Sequence, residues 1–276
     1  MNRFRYGALV MFAALAMPSL QAQDALATIK TAEYALGMIR GPQRIDAINT
    51  MEVWGTGTSS TFGARGNAAG PAAKISYHAS YSYRTPAMRV DISRADAAQP
   101  GAARQIQVIN GEYSWNESVP GGGFIPGSTA TPMPAALPER LLEMWTTPHG
   151  VLKAAERAAK DAKVFKEGAA TAVSFPLTGP LAGITVKITL NTKNQVEKVE
   201  AKGTNSALGA VAMETTYTDY KDLGEIATDV MFPTHILQKR GGSTVLDLTV
   251  TKVDANNPYV VFPVPDVVEK APRAAR

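Results

Sequence analysis

From Lys74 onward the chain alternates apolar and polar residues. In KISYHASYSYR, Ile75, Tyr77, Ala79, Tyr81 and Tyr83 fall on one side, and Ser76, His78, Ser80, Ser82 and Arg84 on the other. Successive side chains of a strand point to opposite faces, so this period of two predicts a half-buried strand. MRVDIS repeats the pattern with Met88, Val90 and Ile92 inward. RQIQVINGEYSWNES reads as two strands around Asn110-Gly111, a strong hairpin signal. ITVKITLNTKNQVEKVEAKG is a second hairpin turning near Lys193-Asn194. METTYTDYKDL, MFPTHILQKR and TVLDLTVTKVD add three more strands, the last two joined at Gly241-Gly242.

Two stretches change to a helical period. From Gln23 to Ile39, Leu26, Ile29, Ala32 and Leu36 recur at helical spacing, with Lys30 and Glu33 off that face and Gly41-Pro42 as the stop. The second runs from about Pro138 to Ala162. It divides at TTPHG: Thr147 suits an N-cap and Pro148 the first helical position, leaving His149 in the first turn. Leu141, Met144 and Trp145 pack one half, and Val151, Leu152, Ala155, Ala158 and Ala159 stripe the other.

About ten alternating strands with few helices imply an α+β fold. The expected architecture is a large antiparallel sheet, curled into an open or half β-barrel, with one packed and one wet face, an N-terminal helix and a mid-chain helix pair. The domain is expected over 23–262, with 263–276 as a flexible tail. Three irregular segments interrupt it, 59–73, 94–104 and 119–138. The third carries Phe124, Ile125 and Met133, and reads equally as a lid or as a surface loop.

The first 22 residues read as an export signal. Arg3 and Arg5 precede the apolar run ALVMFAALAM, which is too short to span a membrane, and cleavage is expected after Ala22. That places the protein in the periplasm or outside the cell, without a membrane-spanning segment after cleavage. Arg3 and Arg5 also supply part of the formal charge of +4, and no basic cluster interleaves with aromatics, so nucleic acid is not an expected partner. The chain has no cysteine, which rules out disulfides, thiol catalysis and Cys-ligated zinc.

Catalytic motifs are scarce. His78, His149 and His235 are far apart in sequence, with no H-x-H-x-D-H or H-E-x-x-H spacing. Ser59, Ser60 and Ser243 lie near glycines but form no G-x-S-x-G elbow, and GTG at 55–57 sits in strand-like sequence. The carboxylate pairs Glu139/Glu143 and Asp219/Asp222 read as solvent-facing. No catalytic residue, metal ligand or cofactor is expected.

Aromatics are the better lead. Tyr77, Tyr81, Tyr83, Tyr113 and Trp115 are assigned to apolar strand faces, either as plain core or as lining of a concave face that one helix pair leaves uncovered. Such side chains offer an apolar body with a polar tip to an amphipathic ligand. The candidate ligand-binding residues are Tyr77, Tyr81, Tyr83, Trp115, Phe124, Met144 and Trp145. Trp54 alternates with Glu52, away from Met51 and Val53, and is read as exposed or at a strand end.

NGEYSWN, MWTTPHGVLKAA, METTYTDYKDLG, FPTHILQKRGG and VLDLTVTKV, in that order and spacing, resemble the N-terminal β-rich region of secreted bacterial proteins that continue into a metallo-β-lactamase-fold hydrolase. The resemblance covers roughly Asp24 to Asp266. The zinc motif of that family does not occur here, so no metal ligand carries over. The resemblance implies an accessory half without the hydrolase, with a separately encoded metallohydrolase as its partner. The order of elements is also similar to periplasmic lipoprotein carriers of the LolA/LolB type. That likeness implies a half-barrel whose apolar cavity holds acyl chains, and a fold likeness does not by itself fix function. The leading expectation is a non-enzymatic domain binding an apolar or amphipathic small molecule or lipid.

Overall fold

The structure, a computed structural model, describes residues 17–40, 45–60, 71–94, 104–225 and 228–272. Gly41-Pro42, the apolar core of the expected export signal except Met17, and most of the first two irregular segments lie outside the described residues. The chain opens with helix α1 (Met17–Ala35), followed by a two-stranded ribbon of β1 (Ile39–Arg40) and β2 (Ile45–Asp46). Then come β3 (Thr50–Ser59), β4 (Ala73–Ser82), β5 (Ala87–Arg94), β6 (Arg104–Asn110), β7 (Tyr113–Glu117) and β8 (Ala130–Pro132). Helices α2 (Leu137–Trp145) and α3 (Pro148–Arg157) follow. The chain continues through β9 (Lys163–Glu167), β10 (Ala170–Pro176), β11 (Ile184–Leu190), β12 (Val196–Asn205), β13 (Gly209–Asp222), β14 (Met231–Arg240) and β15 (Ser243–Ala255), and reaches helix α4 (Asp266–Glu269).

Strands β3 to β15 form one curled, unclosed antiparallel sheet of 13 strands in the order β8-β7-β6-β5-β4-β3-β15-β14-β13-β12-β11-β10-β9. Two meanders meet at its centre, where β3 pairs with β15. This topology explains where the helices go. Strands β8 and β9 are consecutive in sequence but lie at opposite edges, so the segment joining them travels from edge to edge. Residues 133–162 make that journey as α2 and α3, whose buried Leu141, Met144, Val151 and Leu152 join the same apolar core as the strands.

The sheet holds more than the expected ten or so strands. KVFKEGAATAVSFP folds as the β9–β10 hairpin and Ala130–Pro132 as a short edge strand. The hairpins expected at Asn110-Gly111, Lys193-Asn194 and Gly241-Gly242 are present. The first helix ends sooner than Ile39. Gly37, at φ +69°, lets the N–H of Met38 return to the carbonyl of Glu33 at 2.8 Å, which closes the helix after Ala35. Its buried face is Ala25, Ile29, Ala32 and Leu36, while Leu26 is exposed. Glu33 is also buried and pairs with Lys30 at 2.8 Å.

The two faces depart from a simple packed and wet division. The concave face carries the main core. The convex face of β5–β8 is apolar too, with Ala87, Ile106, Val108 and Trp115 buried beneath Val260, Phe262 and Val268 of the C-terminal segment. The Asn110 side chain donates to the Phe262 carbonyl at 2.8 Å, fixing that segment to the sheet. The part of the expected tail that is described therefore packs: α4 lies within it and Val268 is buried.

A candidate binding cavity on the concave face

Between α2 and the strands lies a cavity of about 580 Å³. The alternation of β3, β4, β5, β14 and β15 presents Val53, Tyr77, Tyr81, Met88, Val90, Phe232, Ile236, Leu246 and Leu248 to it. Polar groups line the side beneath α2: Gln105, Gln107, Asn116, Thr215, Gln238, Glu139, Arg140, Glu143 and Arg240. The lining thus mixes apolar side chains with glutamines opposite them on neighbouring strands and charged groups on α2 and β14. The volume is within the range of about 300–1,000 Å³ usual for small-molecule sites.

The charged region is built by two arginines. Arg240, at the end of β14, donates to Glu139 and, at 2.6 Å, to Glu143, both on α2. Arg140 points the other way. Its guanidinium donates to the carbonyls of Val108 at 3.1 Å and Trp115 at 2.6 Å, to Ser114 Oγ at 3.0 Å and to the Asn116 side chain. These bonds hold α2 to both halves of the sheet. Burial pulls the Arg140 guanidinium down to about 10, against the support of Glu143 and Glu139. Burial also raises Glu143, although Arg240 acts to keep it charged. Glu143 keeps 31% of its side chain accessible and lines the cavity.

The tyrosines form an internal polar line. Tyr77 and Tyr81 hydroxyls are 3.0 Å apart. Burial pushes Tyr77 up to about 12 and Tyr81 well above the ordinary phenol value, so both enter the cavity as neutral hydroxyls. Tyr217 donates to the Thr146 carbonyl at 2.5 Å, tying β13 to the junction of α2 and α3.

Of the residues singled out from sequence, Tyr77 and Tyr81 line the cavity. Tyr83, Met144 and Trp145 are buried in the main core beside it. Tyr83 and Trp145 rings lie 6.5 Å apart, and the Arg157 guanidinium sits 4.5 Å over Trp145. Trp115 is on the opposite face of the sheet, in the convex core, with its indole N–H donated to Glu117 at 3.1 Å. Phe124 is exposed in the 118–129 loop, whose Gly123 packs against Pro265 of the C-terminal segment. Within the third irregular segment, Met133, Ala135 and Ala136 reach the cavity wall.

Sequence reasoning left out Glu139, Glu143, Arg140, Arg240 and the glutamines. The Glu139/Glu143 pair, read as solvent-facing, is bound to Arg240 at the cavity, because the crossing helix turns that face toward β14. Their spacing of four was the available signal, since i and i+4 share one helix face. Of the other pair, Asp219 is exposed and Asp222 accepts backbone N–H groups from Gly224, Thr228 and Asp229.

The histidines do not meet. His149 is fully buried in the first turn of α3 and stacks on Phe232 at 5.5 Å. Thr147 caps that helix, accepting the Gly150 N–H at 3.2 Å, with Pro148 at the expected position. His235 pairs with Asp247 at 2.8 Å in an exposed contact. His78 stacks on Trp54 at 4.6 Å, and Lys252 covers the indole at 5.0 Å, which accounts for the half-exposed tryptophan. Around His78, Ser80 Oγ and Glu52 Oε1 both approach the same ring nitrogen, at 3.4 and 3.2 Å. A nucleophile relay needs the carboxylate on the other nitrogen, so this trio is a hydrogen-bonded cluster without relay geometry. Among the described residues, no three His, Asp or Glu side chains gather where they could hold a metal ion.

No protein-family model matches this chain, and no curated protein matches it.

Proposed function

We propose that the chain is an exported binding domain, without chemistry of its own, that holds an apolar or amphipathic ligand of lipid or lipoprotein type on the concave face of its sheet. The observation carrying this reading is the cavity of about 580 Å³, lined by apolar strand residues, strand glutamines and the charged groups of α2. Burying apolar ligand surface there gains about 25 cal/mol per Å². Tyr77, Tyr81 and the charged groups of α2 set its orientation. The similarity in element order to LolA/LolB-type carriers points the same way, as does the signal-like N-terminus for a periplasmic or secreted location. A neutral apolar dye, N-phenylnaphthylamine, tests it. Saturable fluorescence enhancement is expected, lost in Ile236→Trp, which fills the cavity from a half-buried position. Equal enhancement in a stably folded Ile236→Trp protein contradicts it.

A second reading rests on a different surface. Phe124 and Ile125 are 52% and 49% exposed in their loop, and Val261 and Val267 are 66% and 52% exposed in the C-terminal segment that meets it. This supports an accessory module that docks a separately encoded metallohydrolase. Co-purification with such a partner, weakened by Phe124→Ser, is the expected result. Capture unaffected by that substitution sinks this reading.

A further inference from the structure

A second hollow of about 320 Å³ adjoins the cavity, with Leu142, Leu208, Val211, Ala212 and Met213 on its walls. It shares Ala135, Glu139 and Arg240 with the cavity, so the Arg240–Glu139 pair stands as the partition between the two spaces. What a ligand meets at that partition follows from exposure. The Arg240 side chain is 10% exposed, and its two terminal nitrogens are engaged by Glu139 and Glu143. The carboxylates are 39% and 31% exposed. The Arg140 guanidinium is committed to four acceptors on β6 and β7. The partition therefore presents carboxylate acceptor oxygens, while the Arg240 guanidinium is covered, its Nε buried without a hydrogen bond, and that of Arg140 is turned to the sheet.

Resting on the binding role proposed above, we infer that the ligand is an amphiphile with two apolar arms, one in the cavity and one in the adjoining groove, joined by a link that carries a hydrogen-bond donor such as a hydroxyl or amine. The link lies over Glu139. An anionic link would set like charges together there, which interfaces avoid. A ligand with one arm leaves the groove empty and forgoes that buried apolar area.

Calorimetric titration below micellar concentrations separates the two claims. The probes are monooctanoylglycerol, dioctanoylglycerol and dioctanoyl phosphatidic acid. The single-armed glycerol is expected to bind, the two-armed one about tenfold or more tightly, and phosphatidic acid more weakly than dioctanoylglycerol. Val211→Trp, which fills the groove from a half-buried position on the cavity side of β13, returns dioctanoylglycerol to the single-arm affinity. Glu139→Gln narrows the gap between dioctanoylglycerol and phosphatidic acid. If the single-armed probe binds but the second arm adds nothing, the two-arm inference falls and the cavity reading stands. The two-arm inference falls equally if Val211→Trp keeps the full gain. Tighter binding of phosphatidic acid overturns the donor link. If neither glycerol binds, the cavity reading falls and the inference with it. The wild-type comparisons do not depend on any variant folding, and Leu208→Trp offers a second block of the same groove.

Discussion

Two carboxylates of this protein respond to pH in opposite senses, for reasons visible around each. Glu200 lies on β12 among Lys187 at 2.6 Å, Lys202 at 2.8 Å and Lys198 at 3.4 Å. Burial works against its charge, but the lysines outweigh it and hold it down to about 2. A depressed carboxylate stabilises the fold above its unfolded value and loses that contribution as pH falls through about 2. Glu200→Gln is therefore expected to cost about 1–2 kcal/mol at pH 7 in urea unfolding, after discounting for water around the lysines, and almost nothing at the acid limit. Glu33 is the reverse. Burial within α1 raises it to about 7 in spite of Lys30. The fold then holds the proton more tightly than the unfolded chain, so stability declines as pH rises from the ordinary carboxylate range to about 7. Glu33→Gln is expected to be more stable than wild type at pH 8, by about 2 kcal/mol, and equal to it near pH 4. A variant that is less stable at pH 8 shows that the Lys30 ion pair outweighs the burial.

At the level of elements, the junction of α2 and α3 holds the roof of the cavity. A Cβ on Gly150 would stand 2.2 Å from the Met144 carbonyl oxygen and 2.6 Å from Thr147 Oγ1. Gly150→Ala must part the two helices and is expected to destabilise by about 2–3 kcal/mol in thermal or urea unfolding. A loss under about 0.5 kcal/mol, the scale of a neutral surface change, contradicts that close packing. This junction was legible in the sequence because Thr147, Pro148 and Gly150 each do a local job. The same holds for the hairpins, whose turn residues act without tertiary help. Other features were set by packing from afar. Strand β6 is buried on both sides, Ile106 and Val108 under the C-terminal segment and Ile109 in the main core. Its alternation therefore marks no single inner face, and Trp115 was grouped with tyrosines from which the sheet separates it. Strand β9 is a polar edge strand, with Lys163, Lys166 and Glu167 exposed, and carries little apolar signal. In β13, Asp219 at φ +58° interrupts the pairing with β14, so Tyr217 and Tyr220 both reach the core although three residues apart.

For the molecule as a whole, the sheet divides labour between its faces. The concave face and the crossing helices form the cavity, while the convex core under the C-terminal segment is structural. Trp115→Ala is accordingly expected to cost about 3–5 kcal/mol of stability yet leave ligand affinity unchanged where the variant is folded. Weakened binding with little loss of stability contradicts that division. The charged groups that line the cavity were missed in the sequence because Glu139, Glu143 and Arg240 meet only when the edge-to-edge crossing brings α2 over β14. On the reading proposed above, the concave cavity carries a ligand in the cell. Native mass spectrometry of the gently purified protein, followed by solvent extraction, tests it. A reproducible adduct of lipid mass is expected, absent from Ile236→Trp purified in the same way. A bare protein mass, with added lipids also failing to bind, contradicts it.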